Sequence, residues 1–391
     1  MRFETLTLFD AALATFLAAV VPIEDTETAP IREAKGRVLA QEIIAQRDEP
    51  NYRRAAMDGY AVIADDTRRA SVHSPIVLRI AETTRRGVAS RVHTGSKIPE
   101  KADAVVMVED ADRLGDVVEI RKQVIPFENV GLKGEDVSRG ERIFVRGHRL
   151  RPADIGLLAS LEVRDVTVYR RPVVAIIPTG EELVDRMPAE GEVVETNGLM
   201  NTLLVEEWGA QHRYREIVPD ARELIEAALL RDVDADMILT SGGTSVGIRD
   251  LVAQAVQKLG KLLVHGIAMS PAKPTALGLI DNTPIACLPG FPVACLVASH
   301  AFAKPAIYRL GHVKREFELK TTGKLKNELI GKPGSRTYAR VTIENGRVAP
   351  VAAAPGSGIL SSMAKADGFV IIPESVERYE EGQLVEVILL E

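Results

Sequence analysis

The 391-residue chain is poor in cysteine and in aromatic side chains, and it carries no excess of positive charge. Its two cysteines, Cys287 and Cys295, sit in one apolar segment at a spacing that fits neither a CxxC redox pair nor a zinc knuckle. They read as buried free thiols. The seven histidines are scattered, with no HExxH and no clustered ligand spacing, so little supports a transition-metal site built by the protein. A formal net charge of −6 argues against bulk nucleic-acid binding, which needs a basic field, and an aromatic content of 4% argues against a stacking platform for single strands. No apolar run reaches the length of a membrane span. The nearest, Ala11 to Ile23, is flanked by Glu4 and Asp10 and has no obvious cleavage site, so a packed N-terminal helix is expected, not a signal peptide. The expected location is the cytoplasm, without a membrane or nucleic-acid partner.

What is present is a globular composition, 46% hydrophobic and 27% charged, in a chain long enough for two to four domains. The texture divides it into a helical linker region (1–45 and 141–171), a β-rich insertion (46–140), an α/β domain (172–314) and a C-terminal β domain (315–391). In the linker, apolar Ile31, Ala34, Val38, Leu39 and Ile43 predict a helix from Ile31 to Ile44, and Pro152 to Leu161 predicts another. The insertion carries short runs at Tyr60–Ile63, Ile76–Ile80, Ala104–Val108 and Val117–Ile120. From Pro172, strand and helix candidates alternate, ending in a long helix from Pro292 to Tyr308. That alternation predicts βαβ units and a parallel sheet covered by helices on both faces. The fold class is therefore multidomain α/β, and ligands belong beyond the carboxyl ends of the strands.

Three strand ends carry unusual loops. Thr240-Ser241-Gly242-Gly243-Thr244-Ser245-Val246-Gly247 follows a buried run and precedes a helix. Glycines let backbone N–H groups approach a ligand, and a helix start favours phosphate or another oxyanion. The loop lacks the Lys-Ser/Thr of a nucleotide-hydrolysing P-loop, and a tight strand-to-helix turn is the plainer alternative. Asp250 follows it, either a surface acid favoured by the helix dipole or a magnesium ligand facing the same pocket. Thr179-Gly180-Glu181-Glu182 places two carboxylates at an earlier strand end, which suits a shared magnesium ion and a phosphate substrate. Leu288-Pro289-Gly290-Phe291-Pro292 opens a third helix, and Lys273 stands between two prolines, stiffened to neutralise an oxyanion or else idle at the surface. The segments around Asp58, Thr94 and Asp136 are dense in polar groups, and read alone each is also an ordinary turn.

Together, MDGYAV, TGSKIPEKADAVVMVED, GED, IIPTGEEL, ETN, SGGTSVG, KPTALG, LPG-x-PV and SGILSSMAKADG occur in the order of the molybdopterin molybdenumtransferase family, the bacterial MoeA group related to the gephyrin E domain. The resemblance runs from about residue 8 to the end. It implies a helical linker, a β insertion, a molybdopterin-binding α/β domain and a C-terminal β domain. It also implies a homodimer whose active site joins the α/β domain of one subunit to the insertion of the other. The implied reaction inserts molybdate into adenylyl-molybdopterin with release of AMP, using Mg2+ and a pterin supplied by molybdopterin adenylyltransferase. Carried over by position, the catalytic groups are Asp58, Thr94, Asp136, Glu182, Asp250 and Lys273, with Glu182 and Asp250 holding the metal. Substrate binding falls to Thr179, Gly180, Thr196, Asn197, Ser241 to Ser245, Gly247, Pro289, Gly290 and Ser362.

The chain departs from the family pattern at several anion-site positions. Ser270 replaces the first lysine of KPGKP, Phe291 the asparagine of LPGNP, Pro219 the first acid of an Asp-Asp pair, and Gly131-Leu132 part of a basic run. These losses weaken anion binding and leave a tungstate-preferring or non-catalytic pterin-binding paralogue as the alternative. A sugar-phosphate or nucleotide enzyme reusing the glycine loop is a third, weaker alternative.

Overall fold

A computed structural model describes residues 6–242, 250–314, 319–351 and 358–390. The chain forms two compact units: Thr28–Lys35 with Leu39–Val166, and Met1–Glu27 with Gly36–Val38 and Thr167–Glu391.

The smaller unit is built on a six-stranded mixed sheet. Its strands are β1 (Gly59–Val62), β2 (Ile76–Ile80), β3 (Val88–Val92), β4 (Ala104–Met107), β5 (Ala111–Leu114) and β6 (Val117–Ile120), in the order β4-β1-β3-β2-β6-β5. Alternate residues feed the two faces: Tyr60, Val62, Val106, Val118 and Ile120 pack on one side, Ala61, Val92 and Val105 on the other. The run patterns missed β3, because Val-Ala-Ser-Arg-Val breaks strict alternation, and Arg91 instead lies over the Tyr60 ring at 5.1 Å.

The expected helix from Ile31 to Ile44 does not form. A 3-10 turn covers Ile31–Glu33, Gly36 takes φ 77°, and Ile43–Ile44 pairs as a strand with Arg142–Phe144. The apolar spacing imitated a helical face, but a left-handed glycine interrupts it. The second helix does form, as α2 (Pro152–Ser160), with proline in its first turn and Asp154 accepting the Arg151 backbone N–H at 2.8 Å.

Asp154 makes the stability of this unit pH-dependent. Burial pushes its carboxyl up, but hydrogen bonds from Arg151 and His148 outweigh that and hold it at about 2. The folded value lies below the unfolded one, so this stabilisation is complete above pH ~4 and disappears as pH falls through about 2. With the exposure of Arg151 discounted, it is worth roughly 1–2 kcal/mol. Asp154→Asn should lose that amount in urea unfolding at pH 7 and match the wild type near pH 2; equal stability at both pH values would refute the assignment.

In the larger unit, α1 (Phe9–Ala19) precedes an α/β region in which β7 (Val173–Pro178), α3 (Asn197–Glu207), β8 (Gln211–Tyr214), α4 (Arg222–Arg231), β9 (Met237–Ser241), α5 (Leu251–Leu259), β10 (Lys261–His265), β11 (Ala276–Ile280) and β12 (Thr283–Leu288) follow in turn. The strand order is β8-β7-β9-β12-β11-β10. Val174, Ile176, Met237 and Leu239 pack with Phe16, Val205, Trp208 and Phe302, whereas Ala175, Ile177 and Ile238 pack with Ile225, Leu229, Val252 and Val256. Helices therefore cover both faces, as the uninterrupted apolar strands require.

The sheet is mixed, and this corrects the expected parallel one. β7, β8, β9 and β12 are parallel, but β11 runs antiparallel to both β12 and β10. The reversal is made by Asp281-Asn282, both at positive φ (47° and 69°), a two-residue hairpin turn. The long helix is likewise divided into α6 (Pro292–Ala298), a π turn at Ser299–Ala303 and α7 (Lys304–Leu310). Pro305 has no N–H to continue the ladder, and the wider turn accommodates it.

The C-terminal strands are β13 (Lys320–Leu325), β14 (Arg336–Glu344), β15 (Arg347–Pro350), β16 (Gly368–Ile372) and β17 (Leu384–Leu389), with a short α8 (Ser361–Ala364). Their pairing order is β14-β15-β13-β17-β16, and β14 also pairs with β16, which closes the sheet into a barrel around Val341, Val348, Val370, Val385 and Val387. Among the described residues no helix is long and apolar enough to cross a membrane.

Candidate active site

The ends of β7, β9 and β12 meet through their backbones. Thr179 N donates to Ser241 O at 2.9 Å, Gly180 N to Val218 O at 3.1 Å, and Gly242 N to Leu288 O at 3.2 Å. Gly242 has φ 104°, and a Cβ there would lie 2.0 Å from Thr179 O. A Cβ on Gly290 would lie 3.5 Å from Gly242 Cα, so the third loop rests directly on the second. Asn197 Nδ2 then donates to Gly290 O at 2.7 Å and ties the start of α3 to the same point. Thr179, Gly180, Asn197, Ser241, Gly242 and Gly290 thus form one cluster, with Thr196 preceding the first turn of α3 and buried Pro289 preceding Gly290. Gly243, Thr244, Ser245 and Gly247 lie outside the described residues.

Two polar atoms of this cluster are buried without a hydrogen-bond partner among the described residues, Ser241 Oγ and Asn197 Oδ1. Buried polar groups are nearly always paired, so two unpaired ones beside the same strand ends are candidates for contact with a ligand.

Asp250 is buried at the N-cap of α5, where it accepts from Ala253 N at 3.4 Å, and its other oxygen meets His265 Nε2 at 2.6 Å. Glu182 is exposed, its Oε2 folded back to 3.1 Å from the Cβ position of Gly180. No helix starts at this strand end: the two short strands Leu183–Val184 and Val193–Val194 follow before α3. Burial first, and the Asp250 charge against it, push the Cys287 thiol up to about 12, which agrees with an inert core cysteine.

A second cluster joins the α/β region to the barrel. The strand Met269–Ser270 pairs with Arg336–Thr337 of β14, so Ser270 sits against the strand that carries Arg340. Ala272 has φ 80° and Lys273 is exposed. Arg340 donates to the hydroxyl of buried Ser362, no acid pairs with it among the described residues, and burial pulls its guanidinium down. The Phe291 ring comes within 3.4 Å of the Cβ position of Gly358, in the segment leading to Ser362. A cavity of about 880 Å³ elsewhere in this unit is lined by Phe9, Tyr308, Tyr338 and Phe369 and is separate from these loops.

In the smaller unit, Asp58 and Thr94 are brought together. Asp58 Oδ1 accepts from Thr94 N at 2.7 Å and from Thr94 Oγ1 at 2.8 Å, with His93 Nδ1 3.6 Å from the other oxygen. The Thr94 amide foremost, then its hydroxyl, hold this exposed carboxyl below the usual aspartate range. Asp136 is exposed in a separate turn, its N–H donating to Glu49 O at 3.1 Å.

Three family models cover the chain in order: the MoeA N-terminal region (domain I and II) at residues 7–161, a probable molybdopterin binding domain at 175–309, and the MoeA C-terminal region (domain IV) at 322–390. Molybdopterin molybdenumtransferase 2 of Mycobacterium tuberculosis is 32% identical over 96% of this chain and 96% of its own length. The chain belongs to the molybdopterin molybdenumtransferase family. A molybdopterin biosynthesis protein of Methanocaldococcus jannaschii is 37% identical over 92% of this chain and 91% of its own. The crystal structure of a MoeA protein from Pyrococcus horikoshii superposes with a TM-score of 0.87 at 32% identity, covering 99% of this chain and 100% of that one.

Within the molybdenumtransferase pattern, alanine stands at 272 where KPGKP has glycine, yet it keeps the left-handed backbone. Full-length relatives named as transferases favour a catalytic protein over a binding-only paralogue. Motif reading missed Arg340 and His265, which lie in runs that look like ordinary strands, and no local signal marks them. It also passed over Glu195 within ETN, whose burial between Gly198 and Tyr214 emerges only in three dimensions.

Proposed function

We propose that the chain is a molybdopterin molybdenumtransferase, which joins molybdate to the dithiolene sulfurs of adenylyl-molybdopterin and releases AMP in molybdenum cofactor biosynthesis. The observation that carries this reading is the meeting of the Thr179-Gly180, Ser241-Gly242 and Pro289-Gly290 ends with the first turn of α3. That arrangement offers hydroxyls and closely approachable backbone beyond the carboxyl ends of parallel strands, where an anionic ligand is favoured.

Molybdate and a pyrophosphate-linked adenylate repel each other, increasingly so as water is excluded. Lys273 and Arg340 are the cations that offset this repulsion; Arg340, with no acid partner among the described residues, keeps its charge for a ligand. Asp58 is held ionised by Thr94, so it is a weak base. Its role is a fixed negative charge that orients the Thr94 hydroxyl, with Asp136 as a further exposed acid of the insertion. Among the described residues no three His, Cys, Asp or Glu side chains gather as a metal group. Magnesium needs fewer, since it is held by one or two carboxylates plus substrate oxygens. Exposed Glu182 fits that requirement; Asp250, already held by His265, is the second acid. When bound, the ion would neutralise phosphate charge. The same reading makes the protein a cytoplasmic homodimer that receives its pterin from molybdopterin adenylyltransferase.

The test is formation of molybdenum cofactor with stoichiometric AMP from adenylyl-molybdopterin, molybdate and magnesium; pterin binding without AMP would overturn it. In the same assay Ser270→Lys should lower the half-saturating molybdate concentration several-fold, about what one charge-assisted contact supplies at a partly exposed site. The gain should shrink as salt rises. An unchanged molybdate dependence would place Ser270 off the oxyanion path.

A further inference from the structure

The first turn of α3 is clamped by buried polar groups on three sides. Asn197 Nδ2 donates to Gly290 O at 2.7 Å. Asn201 Nδ2 donates to Asn197 O at 2.9 Å, while Asn201 Oδ1 accepts from Ser299 Oγ, in the π turn, at 2.6 Å. Glu195 accepts from Gly198 N at 2.6 Å and from Tyr214 OH at 2.7 Å. Asn197, Asn201, Glu195 and Ser299 are all buried. Within this clamp Asn197 Oδ1 has no partner among the described residues. Gly290 O can only accept, so the amide nitrogen must face it and the oxygen cannot take its place.

We propose that Asn197 Oδ1 accepts a hydrogen bond from the 2-amino group of a pterin, and that Asn201 is the positioning residue that fixes it for this task. The proposal rests on the molybdopterin reading and assigns one part of the substrate to one atom. Molybdate and pyrophosphate present only acceptor oxygens when ionised, so an acceptor that cannot flip repels them. A 2-amino-4-oxopteridine presents an N–H donor at its 2-amino group, which matches it; lumazine keeps N3–H but carries at that position a carbonyl oxygen that can only accept. The clamp explains why a bare oxygen persists: with the helix turn held on three sides, the amide has no rotation open to it that pairs both ends. Preorganised polar groups of this kind discriminate strongly between a ligand with the matching donor and one without.

Fluorescence titration of the full-length protein with pterin and with lumazine, in which oxygen replaces the 2-amino group, tests this directly. Wild-type protein should bind pterin about tenfold more tightly than lumazine, the effect of one buried hydrogen bond. Asn197→Ala should bring the ratio near one. Asn201→Leu, of similar volume, and the milder Ser299→Ala should lower it several-fold while AMP affinity stays unchanged, a selectivity shift that a purely structural role would not produce. Equal binding of the two pteridines by the wild type, no binding of either, or a ratio unchanged in Asn197→Ala overturns the assignment. If the ratio behaves as expected while no AMP is released from adenylyl-molybdopterin, the activity reading fails and this one stands.

Discussion

Asp58→Ala should lower molybdenum insertion on the order of 10²-fold, in line with removal of one preorganised electrostatic group from a reaction site, while costing the fold little. Both halves follow from the geometry. Asp58 is exposed, so its loss opens no buried cavity. Its oxygens accept the Thr94 amide and hydroxyl, so its loss frees the Thr94 side chain to rotate. Asp58→Asn separates charge from shape: it can still accept from Thr94 N through its carbonyl but carries no charge, so a loss as large as that of alanine identifies the charge as the active property. Thr94→Val adds a test of sign. Without the threonine hydroxyl the Asp58 carboxyl should rise toward the usual aspartate range, so the acid limb of the activity profile should move to higher pH. The residues act as a unit, and the double variant should lose little more than Asp58→Ala alone. Steady-state rates of the wild type and the four variants with adenylyl-molybdopterin decide the matter; full activity in Asp58→Ala removes the residue from the site.

The parts of this fold that were legible in the sequence are those set by local periodicity. Val173–Pro178 and Met237–Ser241 are apolar throughout because both faces of the sheet are covered, and the alternating helices carry the pattern of their burial. The same reasoning failed where a single residue overrules a periodic one. Gly36 breaks the face from Ile31 to Ile43, and Asp281-Asn282 reverses the chain between two apolar runs that resemble successive parallel strands. The second signal was available, since a two-residue Asp-Asn link between apolar runs is hairpin chemistry. At the candidate site, loop composition singled out strand ends that the fold brings together, because glycine and hydroxyl residues there have no structural periodicity to serve. Pairings were not legible. His265 reaches Asp250, Arg340 reaches Ser362 and Ser299 reaches Asn201 through long-range packing that spacing along the chain does not encode. Asp250 is the clearest case: the motif supplied the carboxylate, whereas its burial and its histidine partner emerge only in the fold.

Gly242→Ala should damage both stability and binding, and the two losses should be separable. A Cβ at this position would sit 2.0 Å from Thr179 O, and the backbone φ of 104° is one that side chains rarely adopt. The obstacle is a main-chain carbonyl that cannot rotate away, so strain and overpacking add to about 3 kcal/mol or more. Relief requires the ends of β7 and β9 to part, which carries Gly290 and with it the Asn197 anchor away from their present positions. Gly260→Ala is the control. Its Cβ would meet Leu279 O at the same 2.0 Å, but at the far end of α5 and away from the strand-end loops. Thermal unfolding should fall markedly in both variants, whereas pterin affinity per folded molecule should fall only in Gly242→Ala. Gly290→Ala, whose Cβ would make an ordinary 3.5 Å contact with Gly242 Cα, should be nearly neutral in stability. Calorimetric melting together with pterin titration below the transition separates these outcomes. A Gly242→Ala protein that melts with the wild type, or that binds pterin as well per folded molecule, would mean the three loops do not depend on one another for the shape of the site.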